Sequence, residues 1–197
     1  MSVHPDVAAI AARVGTAAPS IGPVRLVCVD GPSGAGKTTV ADELSRLLAP
    51  TFGAVPIVHG DEVYEGWDVV ADEPDPVQAF ATLAERLHGW LLRPWSQGLT
   101  GEHPLWNWTS GGWSGSRVVA PDPVVVLEGV SLGGAALRAH ACTMVWVDAD
   151  PEVRALRVVE RDGASVARHM DRWRNRENAW HGADLTAAHA DVRIRTG

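Results

Sequence analysis

Residues 24–39 read VRLVCVDGPSGAGKTT, and this stretch decides the fold. Val24–Asp30 is a continuous apolar run rich in β-branched residues, the pattern of a buried strand. From Lys37 to Leu48 the period changes, and Val40, Leu44, Leu47 and Leu48 share one helical face. Between strand and helix, Gly31, Gly36, Lys37 and Thr38 satisfy the spacing G-x-x-x-x-G-K-[ST]. Glycines here let the backbone turn its N–H groups inward and approach a polyphosphate closely. The N-terminus of the following helix adds partial positive charge. Lys37 is placed to reach the outer phosphates, and the Thr38 hydroxyl to ligate Mg²⁺. The chain has sixteen arginines and one lysine, and that lysine is Lys37. A slim ammonium on a flexible stem suits this position better than a planar guanidinium. Gly31, Ser33, Gly34, Ala35, Gly36, Lys37, Thr38 and Thr39 are therefore candidate nucleotide-binding residues, with ATP and Mg²⁺ as the expected ligands.

Working outward, Pro5–Arg13 reads as a short helix and Val55–His59 as a second strand. Asp75–Leu92 is a helix with Asp75 as cap, Pro76 in the first turn and a Phe80, Leu83, Leu87, Leu91 stripe. Val124–Leu127 and Thr143–Asp148 are further strands, and Asp191–Arg195 a last short one. Asp150-Pro151 starts a helix running to about Asp162, and Val166–Trp180 makes another. Strands alternating with helices imply parallel βαβ units. The expected fold is α/β, a P-loop NTPase architecture with a roughly five-stranded parallel sheet flanked by helices. The whole chain, 1–197, reads as one domain. Arg93–Arg117 stands apart as a long Gly- and Ser-containing loop with Trp95, Trp106, Trp108 and Trp113. It either pins itself down with its own aromatics or faces a substrate.

Composition narrows the classes. A formal charge of −7 argues against a broad nucleic-acid surface. No stretch approaches the ~20 apolar residues of a membrane helix. The opening MSVHPDVAAIAARVG lacks the basic region of a signal peptide. Cys28 and Cys142 lie inside apolar runs and read as buried thiols, so a reducing, cytoplasmic setting is expected. A Ras-type GTPase would need an N-K-x-D motif, and no lysine follows Lys37.

Two carboxylates end strands. Asp61, in His59-Gly-Asp-Glu-Val-Tyr64, lies where a parallel sheet opens its ligand crevice. It can accept the proton of an attacking hydroxyl and help position Mg²⁺, or it can simply belong to a surface turn. Glu128 closes its apolar run either as a metal partner or as a strand terminator. Arg154, Arg157 and Arg161 share one helix face, and Arg168, Arg172, Arg174 and Arg176 follow. They read as a lid over phosphates or as a solvated, salt-bridged surface. The histidines show no metal-ligand spacing.

These pieces together resemble the uridine kinase and phosphoribulokinase family. DGPSGAGKTT is similar to its phosphate loop, HGDEVYEGWD to the segment after its second strand, and VVVLEGV to its third strand. VDADPEVRALRVVERD is similar to its fourth strand and lid helix. The resemblance covers residues 24 to about 162. It implies ATP·Mg²⁺ as donor and a small hydroxylated molecule as acceptor. It implies that Asp61 is the base, that Glu128 supports the metal or the acceptor, and that Arg157 and Arg161 clamp phosphates from a lid spanning 154–176. It places Tyr64, Trp106 and Trp108 on the acceptor side, with 94–117 as an acceptor-side insertion. In bacterial relatives an Asp often precedes the tryptophan that here follows Asn107. The lid reads Asp162-Gly-Ala-Ser-Val-Ala-Arg168 instead of carrying the Arg-Gly-Arg run of uridine kinases. Two functions follow: a kinase of a small hydroxylated metabolite, such as a nucleoside stacked on Trp106 or Trp108, or a nucleotide-binding regulator with no small acceptor.

Overall fold

Seven strands are present in the computed structural model, which describes residues 5–163 and 166–197: β1 (Arg25–Asp30), β2 (Ile57–His59), β3 (Gly101–Asn107), β4 (Gly112–Val119), β5 (Val124–Glu128), β6 (Ala141–Ala149) and β7 (Val192–Thr196). Five of them form one parallel sheet in the order β2-β5-β1-β6-β7. The helices are α1 (Pro5–Thr16), α2 (Lys37–Phe52), α3 (Pro76–Leu87), α4 (Arg93–Ser96), α5 (Ala135–Arg138), α6 (Pro151–Asp162) and α7 (Ala167–Asp184). The N-terminal reading at 1–4 and the part of the lid reading at 164 and 165 lie outside the described residues. No helix among the described residues is long and apolar enough to cross a membrane.

The sheet is buried on both faces, which is why its strands read as unbroken apolar runs. Successive side chains of β1 divide between two cores: Leu26 and Cys28 enter one, Val27 and Val29 the other. β5 divides in the same way, Val125 and Leu127 against Val124 and Val126. Val7, Ile10 and Val14 of α1 and Val40, Leu44 and Leu48 of α2 cover the second core. Phe80, Leu83 and Leu87 of α3, with Trp173 and Trp180 of α7, cover the first. Both sequence-expected caps are formed. Asp75 accepts from the N–H groups of Val77 and Gln78 at 2.8 and 3.3 Å, and Asp150 from Glu152 N–H at 2.9 Å, each before a proline in the first turn.

The tryptophan-rich stretch corrects the expectation of a long irregular loop. α3 runs on through a π-helical turn, His88–Leu92, into α4, and the chain then makes an antiparallel hairpin, β3 with β4. Trp106 and Trp113 face each other across it, rings 5.3 Å apart and nearly perpendicular. Asn107 builds the tip: its side-chain oxygen accepts from Thr109 and Ser110 N–H at 2.9 and 3.0 Å. The glycines and serines of β4, Gly112, Ser114, Gly115 and Ser116, lie on a stretch that is exposed or half-exposed on both sides of the ribbon, where packing does not demand apolar residues. Buried Trp95 ties the hairpin back, its indole N–H donating to Val119 O at 3.1 Å.

Register sets the site. His59 pairs with Glu128, and Glu128 with Val29, so the carboxyl ends of β2, β5 and β1 lie side by side. Open parallel sheets bind ligands at this edge.

Candidate active site

The phosphate loop leaves β1 at Asp30, a fully buried carboxylate. It accepts from the N–H groups of Gly31, Ser131 and Gly133 at 2.6, 3.0 and 2.9 Å, and His181 Nε2 lies 3.2 Å away. These bonds fasten the start of the loop to the segment after β5. Gly34 and Gly36 have φ of +77° and +94°, where a side chain strains the backbone. A Cβ on Gly34 would stand 2.3 Å from the Arg154 carbonyl oxygen. Gly36 caps α2 and brings no side chain, which leaves the first N–H groups of the helix to a ligand. Lys37 is folded over the loop, its ammonium donating to Gly31 O at 2.8 Å and Pro32 O at 3.1 Å.

Beside it stands buried Glu128. One of its oxygens accepts from the Thr38 hydroxyl at 3.2 Å and meets His59 Nδ1 at 2.6 Å. The bond to Glu128 raises the His59 pKa above the ordinary imidazole value, against the opposing pull of burial. Asp61 is open to the cleft yet surrounded by protein on its other sides. That enclosure pushes its carboxyl above the usual range, while Arg161 and Lys37 pull it down and Glu128 adds to the rise. No cluster of three or more His, Cys, Asp or Glu among the described residues could hold a metal alone. The donors at this point, the Thr38 hydroxyl with the Glu128 and Asp61 carboxylates, are hard oxygens. They suit Mg²⁺ that completes its shell with phosphate and water.

Thr38, Lys37, Glu128 and Asp61 line one open cleft of about 890 Å³, with Trp106, Trp108, Arg157 and Arg161 on its other walls. Ser33, Gly34, Gly36 and Thr39 border it, while Ala35 is buried behind the loop. A second cavity of about 410 Å³ adjoins it past Asp61. Its walls are Trp67, Trp108, Trp173, Tyr64, His169 and Met170. Trp67 is the hub, stacked on His169 at 4.8 Å and edge-on to Trp108 and Trp173 at 5.4 and 6.0 Å. Trp108, 41% exposed, donates its indole N–H to Asp61 O at 2.8 Å and so fixes the hairpin beside the carboxylate. Tyr64 is buried with its hydroxyl donating to Val130 O at 2.7 Å, and it offers the cavities its ring.

The two lid arginines occupy different places. Arg157 donates to Thr196 Oγ1 at 2.7 Å and to Gly34 O at 3.4 Å, beside the phosphate loop. Arg161 borders both cavities and forks onto Asp162 at 2.6 and 2.7 Å. Trp67, His169 and Trp173 were not singled out by sequence motifs. The available signal was their distance from Asp61 and from the arginines: six residues after the carboxylate for Trp67, and the same helix as Arg168, Arg172 and Arg176 for the others.

Comparison with known proteins bears on the family and the fold. A family model described as AAA domain matches residues 27–179. A uridine kinase of Borrelia turicatae is 27% identical over 155 residues, 75% of this chain and 72% of that protein. A uridine kinase of Borrelia hermsii is 25% identical over the same coverage. A solved structure of a possible uridine kinase from Bacillus stearothermophilus superposes with a TM-score of 0.70 at 19% identity, covering 98% of this chain and 100% of that one. That last likeness is one of fold.

Proposed function

This chain belongs to the AAA domain family of P-loop proteins, and on that premise we propose that it is an ATP-dependent kinase transferring the γ-phosphoryl group to a hydroxyl of a small metabolite. One observation carries the reading: Asp61 stands where the phosphate-loop cleft meets the aromatic cavity and borders both. A base for phosphoryl transfer must lie between donor and acceptor.

In this mechanism the loop N–H groups and the α2 N-terminus hold the phosphates of ATP. Lys37 exchanges the carbonyls of Gly31 and Pro32 for the outer phosphates. Asp61 orients the acceptor hydroxyl and takes its proton. Arg161, and Arg157 from the loop side, neutralise charge on the transferring group. Mg²⁺ held through Thr38, Glu128 and Asp61 would shield the phosphate oxygens from the attacking hydroxyl. Trp67, Trp106, Trp108 and Trp173 exclude water and receive the acceptor's apolar or planar part, with the ring of Tyr64 behind them. A nucleoside is the first acceptor to test. The tryptophan walls suit a flat base, and two of the relatives are uridine kinases.

The test is ADP release from Mg·ATP with a panel of nucleosides, sugars and vitamin precursors. Release should depend on one acceptor class. Lys37→Ala should lose turnover and nucleotide affinity together. Asp61→Asn should lose turnover about 10²–10⁴-fold while still binding nucleotide. If Asp61→Asn turned over like the parent, Asp61 would not be the base and the reading would fall.

A further inference from the structure

Ser33 is one of the positions that the phosphate-loop motif leaves free, so the motif gives it no task. In this chain its hydroxyl oxygen and its backbone N–H are both engaged by α7. Trp173 Nε1 donates to the Ser33 hydroxyl oxygen at 2.6 Å, and Ser33 N–H donates to Glu177 Oε2 at 3.0 Å. Trp173 and Glu177 are four residues apart, hence on one helix face. Glu177 is 1% exposed. A carboxylate taken so far from water is costly unless its oxygens are engaged. Its remaining oxygen faces Arg154 Nη1 at 3.6 Å, and that residue's backbone lies against Gly34. Thus α6 and α7 converge on two consecutive residues of the loop.

We propose that Trp173 and Glu177 are positioning residues for the nucleotide site, holding the hydroxyl oxygen and the N–H of Ser33 from α7 and thereby setting the shape of the phosphate loop. The loop binds phosphate through the directions of its backbone N–H groups, so a rotation at Ser33–Gly34 would misdirect those that follow. Ser33 N–H turned towards Glu177 fixes that rotation from outside the loop. Trp173 is also a wall of the aromatic cavity. One helix thus shapes the nucleotide site and bounds the cavity beyond Asp61. The inference rests on the reading of the loop as the nucleotide site.

The experiment is calorimetric titration of Mg·ADP, which needs no acceptor, into Trp173→Phe, Ser33→Ala, the double variant, Glu177→Gln and Glu177→Ala. Melting temperatures are recorded alongside. Phe keeps an aromatic ring in the core but loses the N–H donor together with part of the indole's volume, which the melting temperatures report. Trp173→Phe and Ser33→Ala should each weaken binding about three- to tenfold, and the double variant no further, because all three lack the same bond. Glu177→Ala should weaken it about tenfold or more, and Glu177→Gln, whose amide oxygen still accepts from Ser33 N–H, should recover most of that. In turnover by Glu177→Ala, KM for ATP should rise with kcat at saturation little changed. Lowered melting temperatures with unchanged Mg·ADP affinity would overturn the proposal, as would additive losses in the double variant. Failure of the parent protein to bind Mg·ADP would instead sink the nucleotide-site reading beneath it.

Discussion

The two halves of the cleft are built in opposite ways. The phosphate loop is one unbroken segment, Gly31–Thr39, and its working groups are mostly backbone N–H. The aromatic cavity is assembled from segments far apart in the chain: Tyr64 and Trp67 after β2, Trp108 at the hairpin tip, His169, Met170 and Trp173 on α7. A polyphosphate presents the same oxygens to every protein that binds it, so a short stretch of backbone suffices to recognise it. An acceptor is recognised by shape and by individual side chains, which any element that reaches the cavity can supply. The first kind of site leaves a motif in sequence and the second leaves none.

The contrast can be broken by substitution, and the largest effect should come from the loop. Gly34→Ala puts a Cβ 2.3 Å from the Arg154 carbonyl oxygen at a φ of +77°. It should cost about 3 kcal/mol or more of stability and most of the nucleotide affinity, read by chemical denaturation and Mg·ADP titration. A freely accepted alanine would mean that the loop is not held as tightly as its contacts imply. Trp67→Ala should do the reverse. It removes the ring shared by His169, Trp108 and Trp173, so the acceptor KM should rise about tenfold while Mg·ADP affinity stays near the parent value. Parallel losses at both sites would show that the two regions are not separable at this residue.

The smallest effect belongs to the strap that carries Trp67. Burial pushes the Glu65 carboxyl up, but the Ala71 N–H at 2.7 Å and Arg86 at 2.7 Å outweigh it and hold the pKa below its ordinary value. A carboxylate with a lowered folded pKa stabilises fully above its unfolded value of about 4.3 and loses that contribution as the pH falls through the folded value. Arg86 and Glu65 are partly solvated, so Glu65→Gln should cost no more than about 1 kcal/mol at pH 7. The difference from the parent should shrink in melts carried out at progressively lower pH. A difference that grew on acidification would reverse the sign of this account.

Much of the scaffold was legible because each of its signals is local. Val24–Asp30, Lys37–Leu48, Val124–Leu127 and Asp150-Pro151 carry period or cap chemistry within a few residues, and each became the element it implied, with ends displaced by a few positions. The hairpin was not legible. Its pairing of Trp106 with Trp113 is a contact between strands, and its exposed glycines and serines have the composition of a loop. Asn107, read as a departure in the acceptor-side insertion, closes the turn at the tip through its side chain. His59 gave no sign of its bond to Glu128, since the two are adjacent only once β2 pairs with β5.

What the sequence determined by itself is the parallel α/β scaffold and the phosphate loop, because strand period, helix period and glycine spacing act over a few neighbouring residues. What only the tertiary structure decided is the company those residues keep: Glu128 between Thr38 and His59, Asp61 at the junction of two cavities, and Ser33 held by α7. These contacts join residues as far as 144 positions apart, and strand register and helix packing alone bring them together.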